Sequence, residues 1–149
     1  MSLRDDMQLL QAFPVFAAME AEALQLVAFS AETRFLRTND ALFRRGDAAD
    51  AAYIITSGRM LVSTPGGEPV TAIRGAMVGE IALFAETDYQ GTAFAQEPTN
   101  LMRIPRLVMR RILEEFPGTA VGVLKILRQR TDVLYRDLQR VSVTLDAID

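Results

Sequence analysis

The spacing of apolar residues changes twice along this chain, near residue 33 and again near residue 104. From about residue 5 to 30 the apolar residues recur at helical intervals interrupted by Pro14, which predicts short N-terminal helices. From about 33 to 104, short apolar runs alternate with turn sequences such as Asn39-Asp40 and Ser57-Gly58. Short runs separated by regular turn signals predict a small antiparallel β-sandwich or barrel of about eight strands.

Two further helices are predicted after the last apolar run, at about 105–116 and 118–146. The longer helix carries apolar residues at alternating steps of three and four, an a/d heptad seam with Thr131 in its one gap. This seam could pack on its own chain or pair with a second copy, and its narrow width favours pairing. We therefore predict a homodimer through Leu124, Leu127, Leu134, Leu138, Val141 and Leu145. No helix-turn-helix could follow Ile148, so no DNA-binding domain is expected.

The composition of the 149 residues excludes several kinds of chemistry. There is no cysteine and no histidine, which removes thiol catalysis, a histidine general base and the usual zinc and haem ligands. No paired carboxylates share a predicted face, so we expect no enzyme activity, no catalytic residue, no metal site and no required cofactor. The sequence has no run of 18 apolar residues and no secretion signal, so we predict a cytoplasmic protein without membrane contact.

The charges are unevenly distributed, although the net charge is only −3. Residues 1–102 hold 7 arginines and 13 acidic residues, whereas residues 103–149 hold 9 basic and 6 acidic residues. In the C-terminal part the two signs alternate along the predicted helices, which indicates a solvated surface and not a basic stripe. We therefore expect no direct contact with nucleic acid.

The stretch from Val78 to Phe84, with the sequence Val-Gly-Glu-Ile-Ala-Leu-Phe, is the most informative part of the chain. It predicts a strand end that turns into one short helical turn, where several backbone N–H groups can face an anion. Together with Phe43-Arg44-Arg45-Gly46-Asp47, Tyr53-Ile54-Ile55 and Gly75, it resembles the cyclic nucleotide-binding domain family, which includes the catabolite activator protein and kinase regulatory subunits. The resemblance covers about residues 7–145.

This resemblance implies an antiparallel jelly roll followed by a hinge helix and a long dimerising helix. It also implies a phosphate-binding cassette in which the N–H groups of Gly79, Ile81 and Ala82 hold a cyclic phosphate, and Glu80 accepts from the ribose. Glu80 could equally cap its own turn, and that choice stays open. We expect Ile81, Leu83 and Phe84 to belong to the core and not to a base-binding platform.

The family's phosphate-pairing arginine, nine or ten residues after the glutamate, is absent. Counting nine places Tyr89 there and aligns Thr92 with the family's threonine, whereas counting ten places Gln90 there, followed by Gly91. We prefer nine, because Ala93 and Ala95 then point inward. Tyr89 or Gln90 could donate one neutral hydrogen bond to a ligand.

Other residues could compensate for the missing charge. Arg130 is the first candidate. It is next to Thr131, at the position where related dimers bring small polar residues to the purine ring. Arg59 and Arg74 are weaker candidates. No lysine or arginine occurs from residue 75 to 102. Losing one partner of a buried charged pair costs roughly 2–5 kcal/mol, on the order of thirty- to a few thousand-fold in affinity.

These observations favour a non-enzymatic sensor module of the cyclic nucleotide-binding type, with weak or altered binding of cyclic AMP or cyclic GMP. Two alternatives remain. The domain could be a degenerate member that serves dimerisation or docking without a nucleotide, or it could be the sensor half of a transcription regulator whose helix-turn-helix lies elsewhere.

Overall fold

The computed structural model describes residues 2–129 of the chain. Three helices precede the β-strands and two follow them. They are α1 (Leu3–Gln11), α2 (Pro14–Ala17), α3 (Ala21–Ser30), α4 (Arg106–Glu115) and α5, which covers residues 117–129. A 3-10 helix lies within the cassette at Glu80–Leu83.

Ten short strands form the β part of this described region. They are β1 (Glu32–Leu36), β2 (Ala41–Phe43), β3 (Ala48–Ala49), β4 (Ala51–Ser57), β5 (Arg59–Ser63), β6 (Val70–Ile73), β7 (Met77–Val78), β8 (Thr87–Asp88), β9 (Thr92–Ala95) and β10 (Thr99–Pro105). Ten strands exceed the expected number of about eight, and three of them, β3, β7 and β8, are only two residues long. Runs that short give no period for a sequence pattern to detect.

The strands form two four-stranded antiparallel sheets and one small ribbon. One sheet has the order β1-β10-β4-β7, the other has the order β2-β9-β5-β6, and β3 pairs with β8. The large separations in sequence between neighbouring strands, such as β1 and β10, are typical of a jelly roll. The prediction of a mainly β jelly roll with flanking helices is confirmed.

Local chemistry explains where several helices begin. The Ser2 hydroxyl accepts from the Asp5 N–H at 3.2 Å, and the Asp5 carboxylate accepts from the Ser2 N–H, which together form a capping box at α1. Pro14 is the first residue of α2, a position where its missing N–H is tolerated. Pro105 is the last residue of β10 and the N-cap of α4, so the helix predicted from about residue 105 begins at Arg106.

Two hydrophobic clusters stabilise the fold. The first lies between the helices and the β1-β10-β4-β7 sheet, and it includes Leu10, Phe16, Val27, Ile104 and Met109. The second lies inside the roll, between the two sheets, and it includes Phe43, Tyr53, Ile55, Tyr89 and Leu101. Leu83 joins the first cluster and Ala82 the second, so the cassette 3-10 helix spans the boundary between them.

The predicted roles of three cassette residues can now be compared with their exposure. Leu83 is buried and Phe84 packs against the core, as expected. The prediction for Ile81 is wrong, because its side chain is 58% exposed. One residue of a single 3-10 turn points to solvent while its neighbours point inward, which an apolar run cannot reveal.

The predicted dimer seam is described only at its beginning. Leu124 is exposed, whereas Leu127 packs against the helical core cluster. Arg130, Thr131, Leu134, Leu138, Val141 and Leu145 lie outside the described residues. Among residues 2–129, no helix is both long enough and apolar enough to cross a membrane.

Candidate functional site

The cassette begins at Gly79, whose left-handed backbone (φ 76°) turns β7 into the 3-10 helix. Only glycine adopts this conformation without steric cost, so the strand can end abruptly here. Within the turn, the Ala82 N–H donates to the Gly79 carbonyl at 3.0 Å, and the Phe84 N–H donates to the Ile81 carbonyl at 3.1 Å. The Ala82 N–H, one of the predicted phosphate donors, therefore already has an acceptor within the turn.

Tyr89 is the central residue of this site. Its ring stacks on Phe43, with centroids 3.8 Å apart and planes at 7°, and its side chain is only 5% exposed. Its hydroxyl donates to the Ala51 carbonyl at 2.6 Å. Burial, with a smaller contribution from Tyr53, raises the pKa of Tyr89 to about 12. The phenol is therefore neutral and hydrogen-bonded inside the roll.

The Tyr89 ring lies against the start of the cassette. A methyl group placed on Gly79 would be 3.0 Å from Cε1 of Tyr89 and 3.4 Å from the Ala51 carbonyl oxygen. The missing side chain of Gly79 thus leaves room for the ring as well as permitting the backbone turn. The space beside Gly79, where the resemblance places a cyclic phosphate, is lined on one side by the tyrosine.

The neighbours of Tyr89 agree with a spacing of nine residues from Glu80. Ala93 and Ala95 are fully buried, as that spacing predicts. Gln90 is exposed, and its side-chain amide donates to the Asp88 carbonyl at 2.9 Å. The side chain at the ninth position points into the roll, and the one at the tenth points away.

Gly91 and Thr92 have structural contacts of their own. A methyl group on Gly91 would overlap the Ser63 carbonyl oxygen, so this backbone approaches the end of β5 closely. The Thr92 hydroxyl accepts from the Arg45 N–H at 3.1 Å and ties β9 to the loop after β2.

The described arginines that were candidates to replace the missing charge have other positions. Arg59 forms an ion pair with Glu97 at 3.4 Å. Arg74 is exposed and lines a cleft of about 420 Å³ that also includes Asp6 and Asn100. Within residues 2–129, no group of three His, Cys, Asp or Glu side chains is arranged to hold a metal ion.

Sequence reasoning missed two partners of Tyr89. The sequence places Phe43 in a short apolar run that leads into a turn motif and gives no role to Ala51, although these residues hold the ring and the hydroxyl. The signal in the sequence that pointed to this contact was a pair of aromatic residues, Tyr89 at the predicted arginine position and Phe43 at the end of β2. Their contact depends on the pairing of β2 with β9, which places Phe43 opposite Ala93.

This jelly roll with a glycine-initiated 3-10 cassette defines a class of regulatory domain. Residues 33–116 match the family model of the cyclic nucleotide-binding domain, and the chain belongs to that family.

Solved structures and curated relatives agree with this assignment. A cyclic nucleotide-binding-like protein from Brucella abortus is 40% identical, with a TM-score of 0.65, over 74% of this chain and 98% of that one. The sensor domain of the transcriptional regulator DNR from Pseudomonas aeruginosa is 26% identical, with a TM-score of 0.72, over 92% and 93% of the two chains. The lysophospholipase nte1 of Aspergillus fumigatus is 27% identical over 128 residues, 83% of this chain. The chain spans about 8% of the length of the first such curated relatives.

Proposed function

We propose that this chain is a non-enzymatic regulatory domain that binds cyclic AMP or cyclic GMP weakly or not at all. The observation that carries the proposal is the burial of Tyr89 beside Gly79, at the position that the nine-residue spacing assigns to the family's arginine. A cyclic phosphate at this site would lack its cationic partner and would also compete with a packed aromatic ring.

The energetic deficit has two parts. The missing charged pair accounts for roughly 2–5 kcal/mol. Displacing the Tyr89 ring would also break its stacked contact with Phe43 and its hydrogen bond to Ala51, each on the order of 1 kcal/mol. Together these terms reduce affinity by at least about a hundredfold relative to a domain with the arginine.

The experiment is isothermal titration calorimetry of the wild type and of Tyr89→Arg with cyclic AMP, cyclic GMP and a cyclic dinucleotide. Phe43 can stack on a guanidinium as it stacks on the tyrosine ring, so the arginine has a partner in the folded domain. We expect at most weak heat from the wild type up to millimolar ligand. Tyr89→Arg should raise the affinity for a cyclic mononucleotide by at least about thirtyfold.

Gln90→Arg is the matched control, because it adds the same charge one residue further on, at an exposed position. It should give no comparable gain. Micromolar binding by the wild type would contradict the proposal and would direct attention to a compensating cation such as Arg130. A gain in Gln90→Arg but not in Tyr89→Arg would show that the cassette follows the ten-residue spacing.

A docking function without any nucleotide is the second candidate, and the packed Tyr89 ring favours it. If neither the wild type nor Tyr89→Arg binds a nucleotide, the domain serves assembly alone. In both cases we propose a cytoplasmic homodimer that pairs through the seam beginning at Leu124 and controls an activity carried elsewhere. The names of its relatives, a lysophospholipase and a transcriptional regulator, support such an arrangement.

A further inference from the structure

Three successive carbonyl groups connect the cassette to the hinge helix α4. The Ala49 carbonyl accepts from the Arg106 guanidinium at 2.9 Å, and the Asp50 carbonyl accepts from the Arg106 backbone N–H at 2.8 Å. The next carbonyl, of Ala51, accepts from the Tyr89 hydroxyl at 2.6 Å. We call residues 49–51 the carbonyl strip. Tyr89 and the first residue of α4 therefore bind adjacent peptide units of one short segment.

Arg106 also contacts Ala85 and Glu86, which directly follow the stretch from Val78 to Phe84 and which we call the cassette end. The same Nη1 that donates to Ala49 donates to the Ala85 carbonyl at 3.1 Å, and its Nη2 lies 3.9 Å from the Glu86 carboxylate. The side chain is half-buried, at 26% exposure, so these bonds are partly shielded from water. A movement of the cassette end away from the strip would break bonds to the residue that begins α4.

Tyr89 is fixed to the other side of the strip through its backbone. Its N–H donates to the Asp47 carbonyl at 2.9 Å, and its carbonyl accepts from the Gly46 N–H at 2.9 Å. Just before it, β8 pairs with β3, which contains Ala49. The peptide units that carry the Asp50 and Ala51 carbonyls meet at the Ala51 Cα, so a displacement of one unit moves the pivot of the other, which Arg106 binds.

We infer that Tyr89 is a built-in ligand of the cassette and that the carbonyl strip couples it to α4. In this arrangement the phenol hydroxyl holds the strip in the position that Arg106 requires. A ligand that displaced the ring would release the Ala51 carbonyl and loosen the start of α4. Arg106 is a positioning residue in this coupling. The inference rests on the proposed regulatory function, but it concerns the ligand-free domain and can be tested without a nucleotide.

The test is amide hydrogen exchange of the full chain, without ligand, for the wild type and Tyr89→Phe. This variant keeps the stacked ring and removes only the hydroxyl. Loss of one such hydrogen bond should speed exchange in the first two turns of α4 by roughly two- to tenfold more than in β5 and β6. The matched control is Thr56→Val, which removes a hydroxyl from β4 outside the carbonyl strip, where it donates to the Asn100 carbonyl at 3.1 Å. Exchange in α4 should not change in this control.

The coupling must also act in the opposite direction, because a coupling free energy is reciprocal. Arg106→Met removes the guanidinium, and it should speed exchange at the amides of Ala82 and Tyr89 by a similar factor. Arg110→Met is its control, since Arg110 is exposed and its one ion pair among residues 2–129 is with Glu114, also in α4, at 3.5 Å.

Unchanged exchange of α4 in Tyr89→Phe would overturn the inference. So would an increase in α4 no larger than the increase in β5 and β6, because that would be the global loss of stability alone. Neither result would bear on nucleotide affinity, which the calorimetry measures separately.

Discussion

The hydroxyl of Tyr89 should make the stability of this domain depend on pH in the alkaline range. Tyr89→Phe removes a buried hydrogen bond of 2.6 Å and leaves the Ala51 carbonyl without that donor. At neutral pH this should lower the free energy of unfolding by about 1–2 kcal/mol. The stacked contact with Phe43 is kept, so the difference measures the hydroxyl alone.

The stability advantage of the wild type over Tyr89→Phe shrinks as the pH rises and then changes sign. Burial raises the pKa of Tyr89 from 10.0 to about 12 in the folded state, so folding favours the neutral phenol. Its contribution is fully present below the unfolded pKa and is lost as the pH rises through the folded pKa. Through Tyr89 alone, each pH unit in this window removes about 1.4 kcal/mol from the stability of the wild type, a loss that the phenylalanine variant does not have. The two stability curves should therefore meet near pH 11, about one unit above the unfolded pKa.

Urea unfolding followed by circular dichroism, at intervals from neutral pH to about pH 11.5, measures both curves. The absorbance of tyrosinate in the folded wild type, compared with that of Tyr89→Phe, reports the titration directly. If the curves stay parallel through about pH 11, or if the extra tyrosine titrates near its ordinary pKa, the hydroxyl is not buried and bonded as described.

Two further predictions concern the fold and the assembly. Gly58→Ala and Gly46→Ala both place alanine at a positive φ, 95° and 92° respectively, which costs about 1–2 kcal/mol. Only at Gly58 would the new methyl group also overlap the Thr99 hydroxyl and lie 2.6 Å from the Pro98 carbonyl. Urea unfolding should therefore show the larger loss for Gly58→Ala, and equal losses would contradict this steric argument. In sedimentation equilibrium at micromolar concentration the wild type should be a dimer and Leu124→Glu a monomer, while Lys125→Glu, an exposed change next to the seam, should stay a dimer. A monomeric wild type would refute the predicted pairing.

The sequence predicted the fold well because turn residues and family spacing are local signals. Gly46, Gly58, Gly75 and Gly79 all have positive φ, so each glycine lies where a turn requires it. The apolar runs between them became strands of the two main sheets. The shortest strands escaped detection, because two residues show no alternation.

The site was less predictable, because its geometry depends on contacts between distant segments. From the sequence, Tyr89 is the preferred candidate for the arginine position, with Gln90 as the alternative. The sequence did not show that the Tyr89 ring would stack on Phe43 from β2 or that the hydroxyl would reach Ala51 from β4. Arg106 was likewise missed, since its carbonyl partners are separated from it by 57 and 21 residues in the chain. Such contacts appear only when the strand pairing is known.

The packing of α5 against the N-terminal helices limits how this domain can be shortened. The Thr119 hydroxyl in α5 accepts from the Glu20 N–H at 3.1 Å, and a methyl group on Gly122 would lie 3.4 Å from the Ala18 carbonyl. The family match at residues 33–116 includes neither α5 nor the N-terminal residues Ala18 and Glu20 that α5 contacts. A fragment cut to that match would lose Leu10, Phe16 and Val27 and expose the buried face of α4. The smallest unit that can fold independently is therefore larger than the region by which the family is recognised.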